Sequence, residues 1–270
     1  MPGRAAHEDW HLRLFRRSVL KQAKLREVRA AMGSTRGLKC LDLGSDNGVI
    51  SWHLRRGGGE WASADIAEEA VESIRRLVGH GVHRTDGRSL PFPDTAFDAV
   101  VILDMLEHVE DDRQLLRETA RVLRDGGRLV VNVPHWKKVA VLRPLRRALG
   151  LTDAWHGHLR PGYTLKSLTA ILPPEMQVIS SRTYSRFFSE LLDTAINAAF
   201  SRGGRAPSTA KGTIVTEQEL TRRERAFRAF GAVYPGMWLL SRLDWLLLFT
   251  RGHSLIVTVR KGAPRPPAAR

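Results

Sequence analysis

Apolar positions along this chain follow two alternating rhythms. Short, nearly continuous apolar runs end at glycine or an acidic residue, and each is followed by a stretch whose apolar residues recur three or four apart. The runs Leu38–Leu43, Trp61–Ile66, Gly81–Thr85, Asp98–Leu103 and Arg128–Val133 read as strands. Val49–Arg56, Glu68–Val78 and Asp111–Val122 read as the helices between them. Strands alternating with helices at this spacing predict a parallel, doubly wound sheet. In such sheets ligands bind beyond the carboxyl ends of the strands.

The flanks have a different rhythm. Asp9 to Met32 reads as one basic helix, with Leu12, Phe15, Val19 and Ala23 at helical spacing and Gly33 as its stop. Beyond Pro134, His135–Gly150 reads as a basic helix, and Leu165–Leu172 as a helix closed by Pro173 and Pro174. Met176–Tyr184 and Ser254–Arg260 read as two more strands. The roughly 70 residues between them far exceed an ordinary connection and form an insertion. In it, Phe187, Phe188, Leu191, Leu192, Ala195, Ile196, Ala199 and Phe200 make one apolar helical face. Ser201–Gly212 is a Gly/Ser/Pro linker, Glu217–Phe230 a charged helix, and Met237–Phe249 an apolar stretch interrupted by Ser241, Arg242 and Asp244. The expected organisation is a basic helical extension (1–37), a core (38–184), a helical insertion or lid (185–253), a last core strand (254–261) and a disordered tail (262–270).

Charge sharpens this division. The chain has 270 residues and a formal net charge of +15. Residues 1–37 carry nine basic and three acidic residues, 38–134 carry twelve and seventeen, and 135–270 carry twenty-two and eight. A net acidic module is thus wrapped by basic flanks, which separates the expected chemistry from the expected docking surface. With 43% hydrophobic residues a packed core is expected and wholesale disorder is excluded. The one cysteine, Cys40, excludes an internal disulfide and a CxxC metal site. No apolar stretch reaches the ~18 residues of a bilayer span, and the first residues lack a secretory apolar region, so a cytoplasmic location is expected.

The chemistry concentrates after the first strand. LDLGSDNGVIS puts Asp42, Gly44, Ser45, Asp46 and Gly48 on a strand-to-helix turn, where backbone can approach a ligand closely and free helix amides lie nearby. The dinucleotide fingerprint fails, since counting from Gly44 it needs glycines at Asp46 and Val49. Asp65 ends the second strand, where a carboxylate accepts both hydroxyls of a ribose. Asp86, followed by Gly87, ends the third, within reach of an adenine amino group; an Asp-Gly pair is equally an ordinary turn.

LDLGSDNG, SADI, TDGRSLPFPDTAFDAVVILDMLEHVED and LLRETARVLRDGGRLVVNVP together resemble the successive motifs of class I S-adenosylmethionine-dependent methyltransferases. They are most similar to the methyltransferase type 11 group that includes the ubiquinone and menaquinone biosynthesis enzymes. The resemblance runs from Leu38 to Pro134, more loosely through GHLRPGYTLKSLTAIL. It implies a Rossmann-like α/β fold, a seven-stranded sheet with one antiparallel strand, here Ser254–Arg260, and S-adenosylmethionine as cofactor. By position, Asp42, Gly44, Ser45 and Gly48 would surround the methionine part, Asp65 would hold the ribose, and Ile66 would pack on the adenine. Asp86 and Gly87 would meet the adenine edge, and Leu103 would line the pocket beside the methyl donor. The chain departs from the family at Asp46, where a glycine is usual; Asp enters the left-handed backbone region more readily than most residues.

His108, of the pair Glu107-His108, and His135, directly after the fifth strand, are the candidate bases. His156 and His158 form a second polar cluster with Arg160 and Tyr163 in the region that resembles the family's lid. Two histidines at i, i+2 suggest a metal, but with no supporting cysteine or spaced carboxylate in sequence no metal is expected. The expected activity is methyl transfer to a small or lipid-linked acceptor. The alternatives are an RNA-modifying methyltransferase and a non-catalytic cofactor-binding protein. Met237–Phe249, interrupted by Arg242 and Asp244, reads as a buried segment. Yet Trp238, Trp245 and Phe249 beside basic residues are also what an interfacial helix uses, and they extend the expected location to an anionic inner membrane surface. Nucleic acid is the less favoured partner, because the basic residues are not interleaved with aromatics as in an RNA module.

Overall fold

The computed structural model describes residues 10–138, 140–201 and 224–262. Seven strands form one sheet: β1 (Lys39–Leu43), β2 (Glu60–Asp65), β3 (Val82–Arg84), β4 (Phe97–Leu103), β5 (Leu123–Pro134), β6 (Met176–Tyr184) and β7 (Ser254–Lys261). Their order is β3-β2-β1-β4-β5-β7-β6. The pairs from β3 to β5 are parallel, and β7 runs antiparallel to both β5 and β6. Strand order reverses between β1 and β4, the switch point where doubly wound sheets open a crevice.

Side-chain alternation explains why both faces of this sheet are covered. Leu41, Leu43, Val100, Ile102, Leu129 and Val131 pack on one face with Leu115 and Leu116, which lie on the helix Asp112–Val122. Cys40, Ala99, Val101, Leu103 and Val130 pack on the other, against Leu25, Val28 and Met32 and against Val49, Ile50 and Leu54.

The amino-terminal segment departs from the single helix its periodicity predicts. It forms α1 (Trp10–Phe15) and α2 (Val19–Met32), because Ser18 takes an extended backbone and its side chain accepts from Lys21 N at 3.3 Å, starting a new helix. The buried stripe is Leu25, Val28 and Met32; Val19 and Ala23 are half-buried. α3 (Val49–Arg55), α4 (Glu68–Val78) and α5 (Asp112–Val122) agree with the sequence pattern to within a residue. After β5 the predicted long basic helix shrinks to α6 (Arg143–Ala148), and α7 (Leu165–Thr169) is short.

α8 (Phe187–Ser201) and α9 (Glu224–Arg242) lie between β6 and β7. The inward face of α8 is not the expected apolar one: Ser189, Glu190, Leu192, Thr194 and Ala198 are buried, whereas Ala195 is exposed. Glu190 explains the difference, since it accepts from Lys137 Nζ at 2.6 Å beneath the helix. The Ser201–Gly212 linker beyond Ser201, the first part of the Glu217–Phe230 helix and the tail beyond Gly262 lie outside the described residues.

The expectation of burial for Met237–Phe249 is overturned. Trp245 is 71% exposed and Phe249 84%, with Leu239, Leu246 and Leu248 also in the open. The cause is Asp244, one of the residues that interrupt the apolar run. Its carboxylate accepts from Arg186 N at 2.6 Å and Phe188 N at 2.9 Å, which caps the start of α8 and pins the 3₁₀ turn Leu243–Leu247. With Asp244 turned in, its neighbours turn out.

Candidate active site at the carboxyl end of the sheet

β1 delivers Asp42 fully buried beneath the loop that follows it. Ser45 Oγ and Ser63 Oγ (2.7 Å) both donate to its carboxylate. Ser63 has one proton and gives it to Asp42, so Ser51, 2.8 Å away, donates to Ser63. Burial raises the Asp42 pKa, opposed by the hydrogen bonds from the serines. Asp42 is therefore placed to shape the loop from below.

The loop itself turns through positive φ at Gly44 (87°), Asp46 (53°) and Gly48 (80°). Gly48 is constrained twice, by that φ and by close packing, since a Cβ there would lie 2.7 Å from Ile74 Cα. Asp46 adopts the left-handed conformation its residue type allows. Its carboxylate faces Lys21 of α2 at 3.9 Å, so the charge that replaces the usual glycine has a counter-charge. Burial lowers the Lys21 pKa, and Asp46 opposes that shift.

Asp65 ends β2 and is fully buried in this form. Its carboxylate accepts from Ala67 N at 3.2 Å and Asp46 N at 3.4 Å, both at the long end of the hydrogen-bond range. A carboxylate offers about four acceptor positions, the capacity that ribose hydroxyls would draw on. Ile66 is half-buried beside Gly87 and Val109; a Cβ on Gly87 would stand 3.0 Å from Val109 Cγ1 and 3.4 Å from Ile66 Cγ2. Lacking a Cβ, Gly87 leaves a narrow notch against these two side chains. Asp86 lies two residues beyond β3, exposed, and its Oδ1 accepts from Arg88 N and Ser89 N, both at 2.8 Å. These two bonds hold its pKa below the ordinary carboxylate range. It forms the ordinary turn and keeps its second oxygen for other contacts.

Leu103 ends β4, buried, and Asp104 follows with φ 43°. Sequence reasoning passed over Asp104, yet it anchors a polar chain across the strand ends. Lys24 of α2 donates to Asp104 Oδ2, Asn132 Nδ2 donates to Oδ1 at 2.8 Å, and the Tyr184 hydroxyl donates to Asn132 Oδ1 at 2.6 Å. Burial alone would lower the Lys24 pKa, but Asp104 outweighs it and the amine stands above its usual value. The signal for this chain was Asn132, a polar residue inside the run LVVNVP, because a buried amide must find partners.

The two candidate bases separate. His135 follows β5, is 8% exposed, and has Nδ1 2.8 Å from the Gly252 carbonyl. A carbonyl only accepts, so Nδ1 carries the proton and Nε2 keeps its lone pair. Burial lowers the His135 pKa. His108 lies instead with the lid: its Nδ1 is 3.0 Å from the Gly157 carbonyl, and its ring is 4.9 Å from that of His158. Burial, together with His108 and His156, pushes the His158 pKa down to about 3. Burial beside Arg146 puts His156 at about 4. Arg160 donates to the Leu106 carbonyl, and the Tyr163 hydroxyl gives its one proton to Asp112 at 2.7 Å. An open cleft of about 850 Å³ near Lys39, Arg55, Glu60 and Trp61 lies at the opposite, amino-terminal end of the strands and touches none of these groups.

A glycine turn after β1 and a carboxylate at the end of β2 thus meet at the carboxyl ends of the strands, where doubly wound sheets bind their ligands. Residues 41–131 match the family model described as a methyltransferase domain. Residues 41–131 are therefore a methyltransferase domain of the S-adenosylmethionine-dependent kind. The chain is 38% identical over 109 residues to the demethylmenaquinone methyltransferase of Mycolicibacterium paratuberculosis, covering 38% of this chain and 45% of that protein. It is 39% identical over 106 residues to the enzyme of the same name from Clavibacter sepedonicus, covering 37% and 43%. The chain thus spans less than half the length of the curated relatives it matches. Among solved structures, the [4+2]-cyclase SpnF superposes with a TM-score of 0.57 at 22% identity, over 92% of this chain and 84% of that one. An S-adenosylmethionine-dependent methyltransferase from Mesorhizobium loti superposes with 0.53 at 19%, over 88% and 97%. These two likenesses carry the fold.

Proposed function

We propose that this chain transfers the methyl group of S-adenosylmethionine to an amphiphilic, lipid-like acceptor that it meets at an anionic membrane surface. The observation that carries the acceptor class is the exposed strip Trp245–Phe249. Three residues after Phe249 the chain reaches Gly252, the partner of His135 at the end of β5. The exposed strip is thus joined by a short stretch of chain to the strand end where a methyl acceptor would sit. Arg242 stacks over Trp238 at 4.9 Å and Arg251 is exposed, a basic and aromatic mixture suited to the interface of an anionic bilayer. The curated relatives act, by their name, on a demethylmenaquinone, which supports an apolar acceptor. No described helix is long and apolar enough to cross a membrane, so contact would be peripheral.

The cofactor supplies an activated methyl on a sulfonium, which carries its own leaving group. The chain supplies alignment and a place for the proton. Asp65 and the Gly87 notch would fix the nucleoside, and the Gly44–Gly48 turn would fix the amino-acid end. His135 is the residue we assign as base toward a hydroxyl acceptor, through the Nε2 that its bond to Gly252 leaves free to accept. His108, held to the lid by Gly157, orders that segment.

Cofactor binding without methyl transfer is a second reading with two observations behind it. The buried Asp65 lies under the Asp46 loop, and SpnF, of similar fold, is named a cyclase. Calorimetry with S-adenosylmethionine and S-adenosylhomocysteine is expected to give saturable binding of both. Absence of both heats would end either reading. Flotation with anionic vesicles is expected to carry the protein, and a gel shift with RNA in place of flotation would overturn the membrane assignment.

A further inference from the structure

The lid segment after α6 is laced to the turn after β4 by backbone bonds. Leu159 N donates to the Glu107 carbonyl at 2.8 Å, His108 Nδ1 donates to the Gly157 carbonyl at 3.0 Å, and Arg160 donates to the carbonyls of Leu106 and, at 3.0 Å, Glu110. This lacing brings three side chains from two distant segments to one point. Glu107 is fully buried there, and the half-buried His158 ring meets the His108 ring edge-on. One ligand atom from each of Glu107, His108 and His158 lies within 4.8 Å of the other two.

We propose that Glu107, His108 and His158 form a site for a divalent transition-metal ion of the zinc type. Two imidazole nitrogens and one carboxylate oxygen are a borderline donor set that suits zinc and its neighbours over magnesium or calcium. Three protein ligands leave a coordination position for water or an acceptor oxygen. The bond between His108 and Gly157 is the kind of orienting contact that metal-bound imidazoles make through their second nitrogen. Zinc bonds of about 2.0–2.2 Å place tetrahedral ligand atoms roughly 3.4 Å apart, so the widest separation closes by about 1.4 Å on binding. The half-exposed rings supply that movement, since Glu107 is fixed in the core. The carboxylate partner of His158 comes from far along the chain: the fold supplies Glu107, 51 residues upstream of His158. Lys24 pairs with Asp104 and is also attracted to Glu107, so it is a cation with which a metal ion would share that carboxylate.

The test uses the full chain without a histidine tag, stripped by chelator and titrated with cobalt(II) as a coloured stand-in for zinc. The expected result is visible d–d absorption that saturates at one equivalent and is displaced by zinc. His158→Asn, on a half-exposed lid position, and Glu107→Gln are each expected to weaken cobalt binding at least about tenfold, with the His158→Asn fold checked by its circular dichroism melt. No saturable band in the wild type, or wild-type binding by folded His158→Asn, overturns the site. The readout needs neither cofactor nor acceptor, so its failure is distinct from failure of the methyl-transfer reading.

Discussion

At the ligand end of the sheet, carboxylates lie buried; in the turn before β7, tryptophan, leucine and phenylalanine lie in the open. Each arrangement reverses the usual preference of its residue type. Asp42 is fully buried and held by serines, and the half-buried Asp104 is held by an asparagine and a lysine, so the cost of withdrawing each from water is met by hydrogen bonds and charge. Trp245 and Phe249 are held outside by Asp244, which fixes the turn through the start of α8. The difference separates two tasks: the first region is organised to hold a polar ligand, and the second keeps an apolar surface free. Large exposed apolar patches on a folded chain mark contact surfaces.

The sharpest way to break the comparison is to remove a function from one region and watch the other. Asp65→Ala should weaken S-adenosylmethionine binding by roughly 100-fold in calorimetry, the loss expected for two hydrogen bonds to a charged acceptor. Vesicle binding should be unchanged. Full cofactor affinity in this variant would refute the ribose assignment. Conversely, the double variant Trp245→Ser, Phe249→Ser should lower affinity for anionic vesicles by at least about tenfold while calorimetry with the cofactor stays at the wild-type value. Equal vesicle binding would mean that the exposed strip is not the contact surface.

Much of the first region was legible because its signals are local. The strand-end residues Asp42 and Asp65 and the Gly44–Gly48 turn sit within a few residues of the pattern that defines them. The polar chain beside them was not, because its bonds join residues far apart: Lys24 to Asp104 across 80 positions, Tyr184 to Asn132 across 52. The lid contact of His108 with Gly157 spans 49. Periodicity reports which face of an element is apolar, and in α8 it misled, since Glu190 is drawn inward by Lys137. In the second region Asp244 looked like a flaw in an apolar segment, and only its contact with α8 reveals it as a cap.

A smaller effect concerns how the amino-terminal helices are held to the sheet. His53 packs 4.3 Å from Phe15, and burial, with Arg29, Arg56 and Arg16 nearby, puts its pKa at about 4. Its unfolded value is the ordinary 6.5 or so. The stability that comes from the neutral ring is thus fully present above pH 6.5 and is lost as pH falls toward 4. His53→Gln should reduce the drop in Tm between pH 7 and pH 4.5 by roughly 2–4 °C, the shift that about 1 kcal/mol makes in a domain of this size. An unchanged pH dependence would show that His53 does not carry this coupling.

The central claim is that the two regions serve one reaction, methyl transfer to an amphiphilic acceptor. Its most direct measurement is incubation of the full chain with methyl-labelled S-adenosylmethionine and anionic vesicles loaded with a bacterial lipid extract, followed by partition between organic and aqueous phases. The account predicts label in the organic phase with an equal yield of S-adenosylhomocysteine, and loss of both with Asp65→Ala. Cofactor binding by calorimetry with no S-adenosylhomocysteine formed, or label confined to an aqueous acceptor, would contradict it.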